Sequence, residues 1–370
     1  MALTMRNHIY QILEDYKAGD RSENWFSATI MNKAGSSYRW PGALMLISPL
    51  GKTFGLVSGG CLEADIVRRA QNVYHQQQPD YVVYDSTEEG NIAAELGLGC
   101  NGRVGVLVQQ LSSSHEQLLL TMLDQLQCGH SPQLLQCYSD AEDGNVMAQL
   151  VLLDESGHVM SSTADVPLPS IPELGSKKHA VISDGKREWA VAKHMPPPSL
   201  WIVGGGVDAQ PMVNLAVLLG WRVTVVDHRT SYARVSDFRG AEHIIRDTPE
   251  NYCGELDGDA AIVMSHNLSI DAAWIKRLKG AKKLRYLGLL GPVSRKREVF
   301  ELADVDSQSE FAASVYGPMG FDIGGDLPES IALSVISQCH AVLNDKSADS
   351  NTSLNEQVRE PTMSCCLCAS

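Results

Sequence analysis

A glycine-rich turn between a β-prone run and an apolar helix constrains the fold of this chain more than any other feature. Residues 200–203 form the run, and residues 204–209 read Gly-Gly-Gly-Val-Asp-Ala, which fits the pattern G-x-G-x-x-A. The helix follows over 211–219, and a second strand over 221–226 ends in Asp227. In dinucleotide-binding domains an acid at this place binds a ribose hydroxyl. The pattern therefore predicts a Rossmann-type, doubly wound parallel sheet.

Two interpretations of the ligand of this domain stay open. Gly204 and Gly206 would let a phosphate-bearing ligand approach the backbone, and Asp227 would bind a ribose, so NAD(P) or another nucleotide is one expected cofactor. Arg229 could favour a phosphate, as in NADP sites, or could be a solvated cation. Because a fold does not define a ligand, the alternative is a domain that holds no nucleotide.

Two later strands are predicted to end at the same edge of this sheet. Residues 260–264 lead to His266, and residues 286–290 lead to Gly291. Ligands of open α/β sheets bind outside the carboxyl ends of the strands, so both residues are candidates for the site. Arg295 follows Gly291 and suggests an anion site, with solvation of a helix start as the alternative.

A second glycine turn, at Ser58, Gly59, Gly60, Cys61 and Glu63, follows a β-prone run over 54–57 and precedes a helical pattern over 62–73. We interpret it as a strand, a turn and a helix, with the cysteine in the first helical turn. Helix N-termini favour anions, including a thiolate, and adjacent glycines admit a close neighbour. The alternative is a tight turn with a small buried cysteine.

Two further loops have the composition of binding loops. One contains Gly35, Ser36, Ser37 and Arg39, which can present N–H, hydroxyl and cationic groups to a phosphate or carboxylate, or can form an ordinary surface turn. The other is a glycine-rich turn that carries Cys100 and Asn101. We expect this second cysteine turn to line a common pocket with the first.

The composition of the 370 residues and the positions of the prolines predict the domain boundaries and limit the classes of partner. We predict a domain over 1–110, an α+β extension with a Pro-rich linker over 111–198, the Rossmann-type domain over 199–343 and a disordered tail over 344–370. A net charge of −14 argues against a nucleic-acid partner. No apolar run reaches the roughly 18 residues of a membrane span, and no signal peptide is visible, so we expect a cytoplasmic protein with no membrane partner.

The nine cysteines are expected to be reduced thiols in such a compartment. Those at 365, 366 and 368 could bind a soft metal or could belong to a disordered tail. No Ser–His–Asp order, paired carboxylate or His-rich metal motif is evident.

Six motifs in a fixed order resemble the XdhC/CoxI family, the xanthine dehydrogenase accessory factors. They are Gly35-Ser36-Ser37-Tyr38-Arg39, Ser58-Gly59-Gly60-Cys61-Leu62-Glu63, Gly97-Leu98-Gly99-Cys100-Asn101-Gly102, Val225-Val226-Asp227-His228-Arg229, Leu287-Gly288-Leu289-Leu290-Gly291-Pro292 and Gly317-Pro318-Met319-Gly320-Phe321-Asp322-Ile323-Gly324. The resemblance covers about residues 5–110 and 199–343. It implies an N-terminal α+β domain followed by the Rossmann-type domain.

The resemblance also implies a function. Family members bind molybdenum cofactor (molybdopterin), protect it during sulfuration, and deliver it to an apo molybdenum hydroxylase such as xanthine or carbon monoxide dehydrogenase. They are cofactor-insertion chaperones, not dehydrogenases. A cysteine desulfurase partner and a homodimer are expected on the same grounds. Cys61 would be a ligand of the molybdenum or a group that handles its sulfur, because thiolates suit sulfur-rich metal centres.

Two alternatives to this chaperone function come from other parts of the sequence. The first is an NAD(P)-dependent oxidoreductase that uses the Rossmann domain, with His266 as the best candidate acid or base. The second is a redox- or metal-sensing protein that acts through the tail cysteines.

Three positions differ from many members of the family. The first turn of the Rossmann domain has Val207 and Asp208 where many members have His and Val. Leu327 replaces a Thr before the last predicted helix, which therefore lacks a side-chain N-cap.

Overall fold

A computed structural model describes residues 7–21, 24–35, 38–86, 102–140, 146–165, 167–172, 174, 178–183 and 187–348. The chain forms two compact units. The N-terminal unit runs to Pro197 and includes Leu218–Gly220, and the C-terminal unit comprises Pro198–Val217 and the chain from Trp221. A disordered tail was predicted over 344–370. Residues 349–370 of this segment lie outside the described residues.

The N-terminal unit begins with a five-stranded antiparallel sheet whose strand order is β3-β2-β1-β5-β4. Its elements are α1 (Ile9–Ala18), β1 (Phe26–Gly35), β2 (Leu44–Ile47), β3 (Thr53–Phe54), α2 (Glu63–Gln76), β4 (Asp80–Asp85) and β5 (Gly102–Gln110). Helix α2 buries Ile66, Ala70 and Val73 in one cluster with Ile30 and Val106 of the sheet. This packing fixes the start of α2 against the sheet.

A second antiparallel sheet completes this unit, with strand order β8-β7-β6-β10-β9. Its elements are α3 (Ser113–Gln127), β6 (Gln133–Asp140), β7 (Val146–Leu153), β8 (Val159–Ser162), β9 (His179–Ser183) and β10 (Glu188–Lys193). Leucines of α3 such as Leu119 share a buried cluster with Leu46 of the first sheet and Leu152 of the second. The two sheets therefore share one hydrophobic core.

The approach to the cysteine turn differs from the prediction in two details. Strand β3 ends at Phe54 because Gly55 has φ +83°, so the run to Val57 is not a strand. Helix α2 begins at Glu63 with Leu62 as its N-cap, so Cys61 precedes the helix and is not in its first turn. The cysteine nevertheless lies at the helix start.

The C-terminal unit is a six-stranded parallel sheet with strand order β13-β12-β11-β14-β15-β16. Its elements are β11 (Ser199–Val203), α4 (Ala209–Leu218), β12 (Arg222–Val226), β13 (His243–Ile245), β14 (Ala260–Val263), α5 (Leu268–Leu278), β15 (Tyr286–Leu289), α6 (Val293–Leu302), α7 (Glu310–Ser314), β16 (Val315–Tyr316) and α8 (Pro328–Leu343). This is the 3-2-1-4-5-6 order of the doubly wound dinucleotide-binding fold. The predicted α/β architecture is confirmed.

Helices cover both faces of the parallel sheet, as the continuous burial of its strands requires. One cluster holds Met212 of α4 and Val335 of α8, and the other holds Trp274 of α5 and Phe300 of α6. The strand order reverses between β11 and β14, so the loops after these two strands face each other across the ligand crevice of such folds. In the described part of the chain, no helix combines the length and apolar character needed to cross a bilayer.

Candidate functional site

The turn before α2 is held in place by its own polar side chains. Ser58 Oγ accepts hydrogen bonds from the N–H groups of Gly60 and Leu62, each at 3.1 Å, and donates to Glu63 Oε2 at 2.5 Å. Glu63 Oε1 accepts from the N–H groups of Ser58 at 2.9 Å and Val57 at 3.3 Å. Four backbone N–H groups of the turn are thus satisfied internally, and an anion at this turn would need other donors.

The same turn exposes a thiol and an open stretch of backbone. Cys61 is exposed and carries a free thiol. Gly60 has φ +109°, and a Cβ added there would meet no atom within 4 Å. The alternative of a small buried cysteine is therefore wrong for Cys61.

One aromatic side chain, Tyr38, lies beside this thiol-bearing turn. A Cβ built on Gly59 would lie 3.8 Å from Cδ2 of Tyr38, so the tyrosine ring is adjacent to the turn. Tyr38 is 66% exposed and Trp40 is 56% exposed. Lys33 Nζ lies 3.5 Å from the ring centroid of Trp40, and the Trp40 ring also stacks on His179 with the two centroids 4.5 Å apart. Tyr38 offers a flat surface beside the turn, while Trp40 is held by its neighbours.

Gly35 and Arg39, which the sequence predicts in one anion-binding loop, have different surroundings. Gly35 ends β1 opposite Gly102 and has φ +69°. Arg39 is partly buried, and this burial lowers the pKa of its guanidinium. Burial is also the main cause that lowers the pKa values of His8 and His194 to about 4, and the charge of Arg39 adds to both shifts. Arg39 therefore acts electrostatically on these two histidines. The remaining predicted site residues of the N-terminal unit lie outside the described residues: Ser36, Ser37, Cys100 and Asn101.

The glycine turn after β11 is closely surrounded by protein. A Cβ at Gly204, which has φ +120°, would strike the carbonyl oxygen of Met264. A Cβ at Gly205 would lie 2.6 Å from the backbone N of Ala233. The first two glycines therefore admit other parts of the same chain.

The third glycine of this turn lies against a carboxylate. A Cβ at Gly206 would strike Asp208 Oδ1. Asp208 Oδ2 lies 2.7 Å from Nε2 of His266, which follows β14 and has the left-handed φ of +61°. Asp208 and His266 thus bridge the two strands between which the strand order reverses.

The acid predicted to bind a ribose is engaged by other groups of the chain. Asp227 is 4% exposed and accepts hydrogen bonds from Gly205 N at 2.7 Å and from Arg229 N, Nε and Nη2 at 2.9, 2.9 and 2.6 Å. Burial alone would raise the pKa of Asp227, but these donors outweigh it and hold the pKa below its usual value. The Arg229 guanidinium also stacks 3.7 Å from the Tyr232 ring centroid. The predicted ribose acid and phosphate cation therefore pair with each other.

An ion pair links the next two strand ends. Asp271 is fully buried and accepts from Ser265 N at 3.1 Å, Ser265 Oγ at 2.5 Å and Arg295 Nη2 at 2.6 Å. Gly291 has φ +126°, and a Cβ there would lie 2.5 Å from Cδ of Arg295. The glycine thus makes room for the arginine, which joins α6 to the start of α5.

Comparisons with known proteins match both halves of the chain. A family model described as the XdhC and CoxI family matches residues 19–85, and one described as the XdhC Rossmann domain matches residues 200–339. A relative from Bacillus subtilis, described as a probable xanthine dehydrogenase subunit, is 32% identical over 314 residues, which are 84% of this chain and 91% of the relative. The chain belongs to the XdhC and CoxI family. A crystal structure of a xanthine dehydrogenase from Bacillus halodurans matches with a TM-score of 0.70 and 27% identity, over 93% of this chain and 98% of that one.

Both glycine turns lie inside the segments of this XdhC/CoxI protein that the two family models match. The N-terminal match contains Tyr38 and Cys61, and the C-terminal match contains Asp208, Asp227 and His266. In the described residues of this family member, no group of three or more His, Cys, Asp or Glu side chains could hold a metal ion.

Sequence reasoning assigned no site role to three residues that shape these sites. Tyr38 could have been noticed as an aromatic residue in a loop of small residues. Asp208 was identified only as a difference from many members of the family, although it places a charge inside the glycine motif. Asp271 carried no signal of its own, because an acid in the first turn of a helix is usually solvated.

Proposed function

We propose that this chain is an accessory protein that binds molybdenum cofactor and assists its sulfuration and insertion into a molybdenum hydroxylase of the xanthine dehydrogenase type. Membership of the XdhC and CoxI family supports the class of client. So do the descriptions of the two relatives, each of which refers to a xanthine dehydrogenase.

The structural observation that carries the proposal is the exposed Cys61 thiol on a turn held in place by Ser58 and Glu63. A thiolate is a soft donor that suits a molybdenum centre with sulfur ligands. The open space over Gly60 would let a bulky group approach the backbone next to Cys61 without moving it. Preorganisation of the turn lowers the cost of binding.

The flanking aromatic surface suits the organic part of the same cofactor. Tyr38 is largely exposed and lies against Gly59 of the turn. A flat heteroaromatic ring such as a pterin would stack on an aromatic side chain, with a contribution of about 1–3 kcal/mol for one ring. The tyrosine would therefore hold the pterin while Cys61 holds the metal.

An exposed ligand suits a carrier. A carrier must release its cargo to the apo molybdenum hydroxylase, and an exposed soft ligand such as Cys61 favours such exchange. Exposure of the thiol would also leave the cofactor accessible to a cysteine desulfurase during sulfuration.

A transfer assay tests the proposal. The purified chain is loaded with molybdenum cofactor, separated from free cofactor and mixed with an apo molybdenum hydroxylase. We expect recovery of hydroxylase activity with the wild type and loss of most of it with Cys61→Ser. Cys128→Ser is the matched control, because Cys128 is also an exposed thiol of the N-terminal unit. Equal activation by free cofactor and by the loaded chain would contradict the proposal.

A further inference from the structure

The crevice of the parallel sheet has the topology of a dinucleotide site, and the fold implies NAD(P) as its ligand. Such a site needs an open second glycine of G-x-G, which lets the pyrophosphate approach the backbone, and an acid free to bind the ribose. These positions are Gly206 and Asp227 in this chain. The side chains around both residues decide whether a dinucleotide fits.

The pyrophosphate position is taken by a carboxylate of the chain. Asp208 Oδ1 lies where a Cβ of Gly206 would point, on the side from which a pyrophosphate approaches. His266 Nε2 holds the other carboxylate oxygen at 2.7 Å. The negative charge of Asp208 would stand next to two phosphate charges, and like charges at this distance repel.

The ribose position is also closed. The carboxylate of Asp227 accepts hydrogen bonds from Gly205 and Arg229, and its side chain is 1% exposed. Ala233 N points to the carbonyl of Gly205 at 3.4 Å, so the segment after β12 lies over the turn. A ribose would have to displace Arg229 before it could reach the carboxylate.

We propose that Asp208, held by His266, is the residue that excludes dinucleotides from the crevice of this Rossmann domain. The carboxylate blocks the pyrophosphate by volume and by charge, and the pairing of Asp227 with Arg229 removes the ribose acceptor. The C-terminal unit of this chain therefore does not bind NAD(P), although its strand order and glycine pattern are those of an NAD(P) domain.

Calorimetric titration of the full chain with NAD⁺, NADP⁺ and ADP-ribose tests this inference. We expect no binding to the wild type at ligand concentrations up to about 1 mM. Asp208→Ala removes both charge and volume, and should bind ADP-ribose with a Kd of about 100 µM or less, at least about tenfold below the 1 mM limit for the wild type. Asp208→Asn removes the charge alone and should show a smaller gain.

Two further variants complete the experiment. His266→Asn keeps a residue that tolerates the left-handed backbone but removes the imidazole, and it should give a partial gain because Asp208 is released. Asp237→Asn changes an exposed acid of the same unit and should bind no dinucleotide.

Two results would overturn the inference. One is tight binding of NAD⁺ or NADP⁺ to the wild type, with Kd below about 100 µM. The other is a folded Asp208→Ala or Asp208→Asn variant that gains no affinity. Neither result bears on cofactor transfer by Cys61, so this inference and the proposed function are tested separately.

Discussion

At Ser58–Glu63 the polar side chains bond to the backbone of their own turn and leave Cys61 exposed, whereas at Gly204–Ala209 the side chain of Asp208 fills the space beside the glycines. Both turns precede a helix, and each contains one glycine at positive φ, Gly60 and Gly204. The glycines of the first turn face open space at Gly60, and those of the second face Met264, Ala233 and Asp208. Similar glycine patterns thus produce one open turn and one closed turn.

The difference shows that a glycine can serve two purposes. At Gly60 the missing side chain leaves room for another molecule. At Gly204 the missing side chain leaves room for the carbonyl of Met264, the residue that follows the neighbouring strand β14. A glycine motif therefore indicates close approach, and the neighbours of each Cβ position decide whether a ligand or the protein itself approaches.

The largest expected effect comes from adding a methyl group to each turn. Gly204→Ala should lower the free energy of unfolding by about 4 kcal/mol, because its Cβ would strike the Met264 carbonyl at a strained φ. Gly60→Ala should cost only about 1 kcal/mol, since backbone strain is its main penalty. Urea denaturation of the two variants measures the difference. Similar losses would show that the turns are equally packed.

The second largest effect is expected for Asp227→Asn. This variant tests whether the Asp227 carboxylate is occupied by hydrogen bonds within the fold. Asp227→Asn should lower the free energy of unfolding at pH 7 by about 3 kcal/mol, because Arg229 loses its partner. The pKa of Asp227 lies below its usual value, so the carboxylate stabilises the fold above the unfolded pKa of about 3.9. That stabilisation is lost as the pH falls through the lower folded pKa.

Chemical denaturation between pH 7 and pH 3 checks this dependence. The difference between the wild type and Asp227→Asn should be constant down to about pH 5 and should shrink below about pH 4. A variant as stable as the wild type at pH 7 would mean that Asp227 is available to a ligand.

A smaller effect is expected at the open turn. Glu63→Ala removes the acceptor for Val57 N–H, Ser58 N–H and the Ser58 hydroxyl, and should cost about 1–2 kcal/mol. Glu63→Gln keeps one acceptor oxygen and should cost less. Thermal unfolding measures both variants, and equal stability of Glu63→Ala and the wild type would show that the turn does not depend on this carboxylate.

The smallest effect on stability is expected at Tyr38, which is largely exposed. Tyr38→Ala should change the free energy of unfolding by less than about 0.5 kcal/mol. It should nevertheless weaken retention of molybdenum cofactor by about tenfold, because a stacking surface is lost. Tyr38→Phe keeps the ring and should retain the cofactor as the wild type does. Fluorescence of the bound pterin after gel filtration measures retention, and equal retention by Tyr38→Ala would remove the tyrosine from the site.

The fold was largely predictable because long periodic segments carry its information. The alternation of strands and helices from Leu200 onward predicts the parallel sheet, and the structure confirms it. The strands β13 and β16 were missed, because segments of two or three residues show no period of their own. The strand β8 was missed because it is largely exposed and has no apolar run. The start of α2 was placed one residue early, since a helix boundary depends on capping contacts.

The candidate sites were predictable in position but not in their contacts. The sequence indicates both glycine turns and Cys61, yet it does not indicate which way the side chains of Asp227 and Arg229 point. Asp208 and His266 are 58 residues apart and meet only because β11 and β14 are adjacent and parallel. Contacts of this kind depend on strand order, which local sequence patterns do not contain.

Retention of molybdenum cofactor by the Cys61→Ser variant tests the central claim most directly. The wild type, Cys61→Ser and the control Cys128→Ser are loaded with cofactor, passed through gel filtration, and analysed for molybdenum and pterin. We predict that the wild type and Cys128→Ser keep equal amounts of both and that Cys61→Ser loses most of its molybdenum. Equal molybdenum in all three proteins would contradict the assignment of Cys61 as the ligand at the open turn.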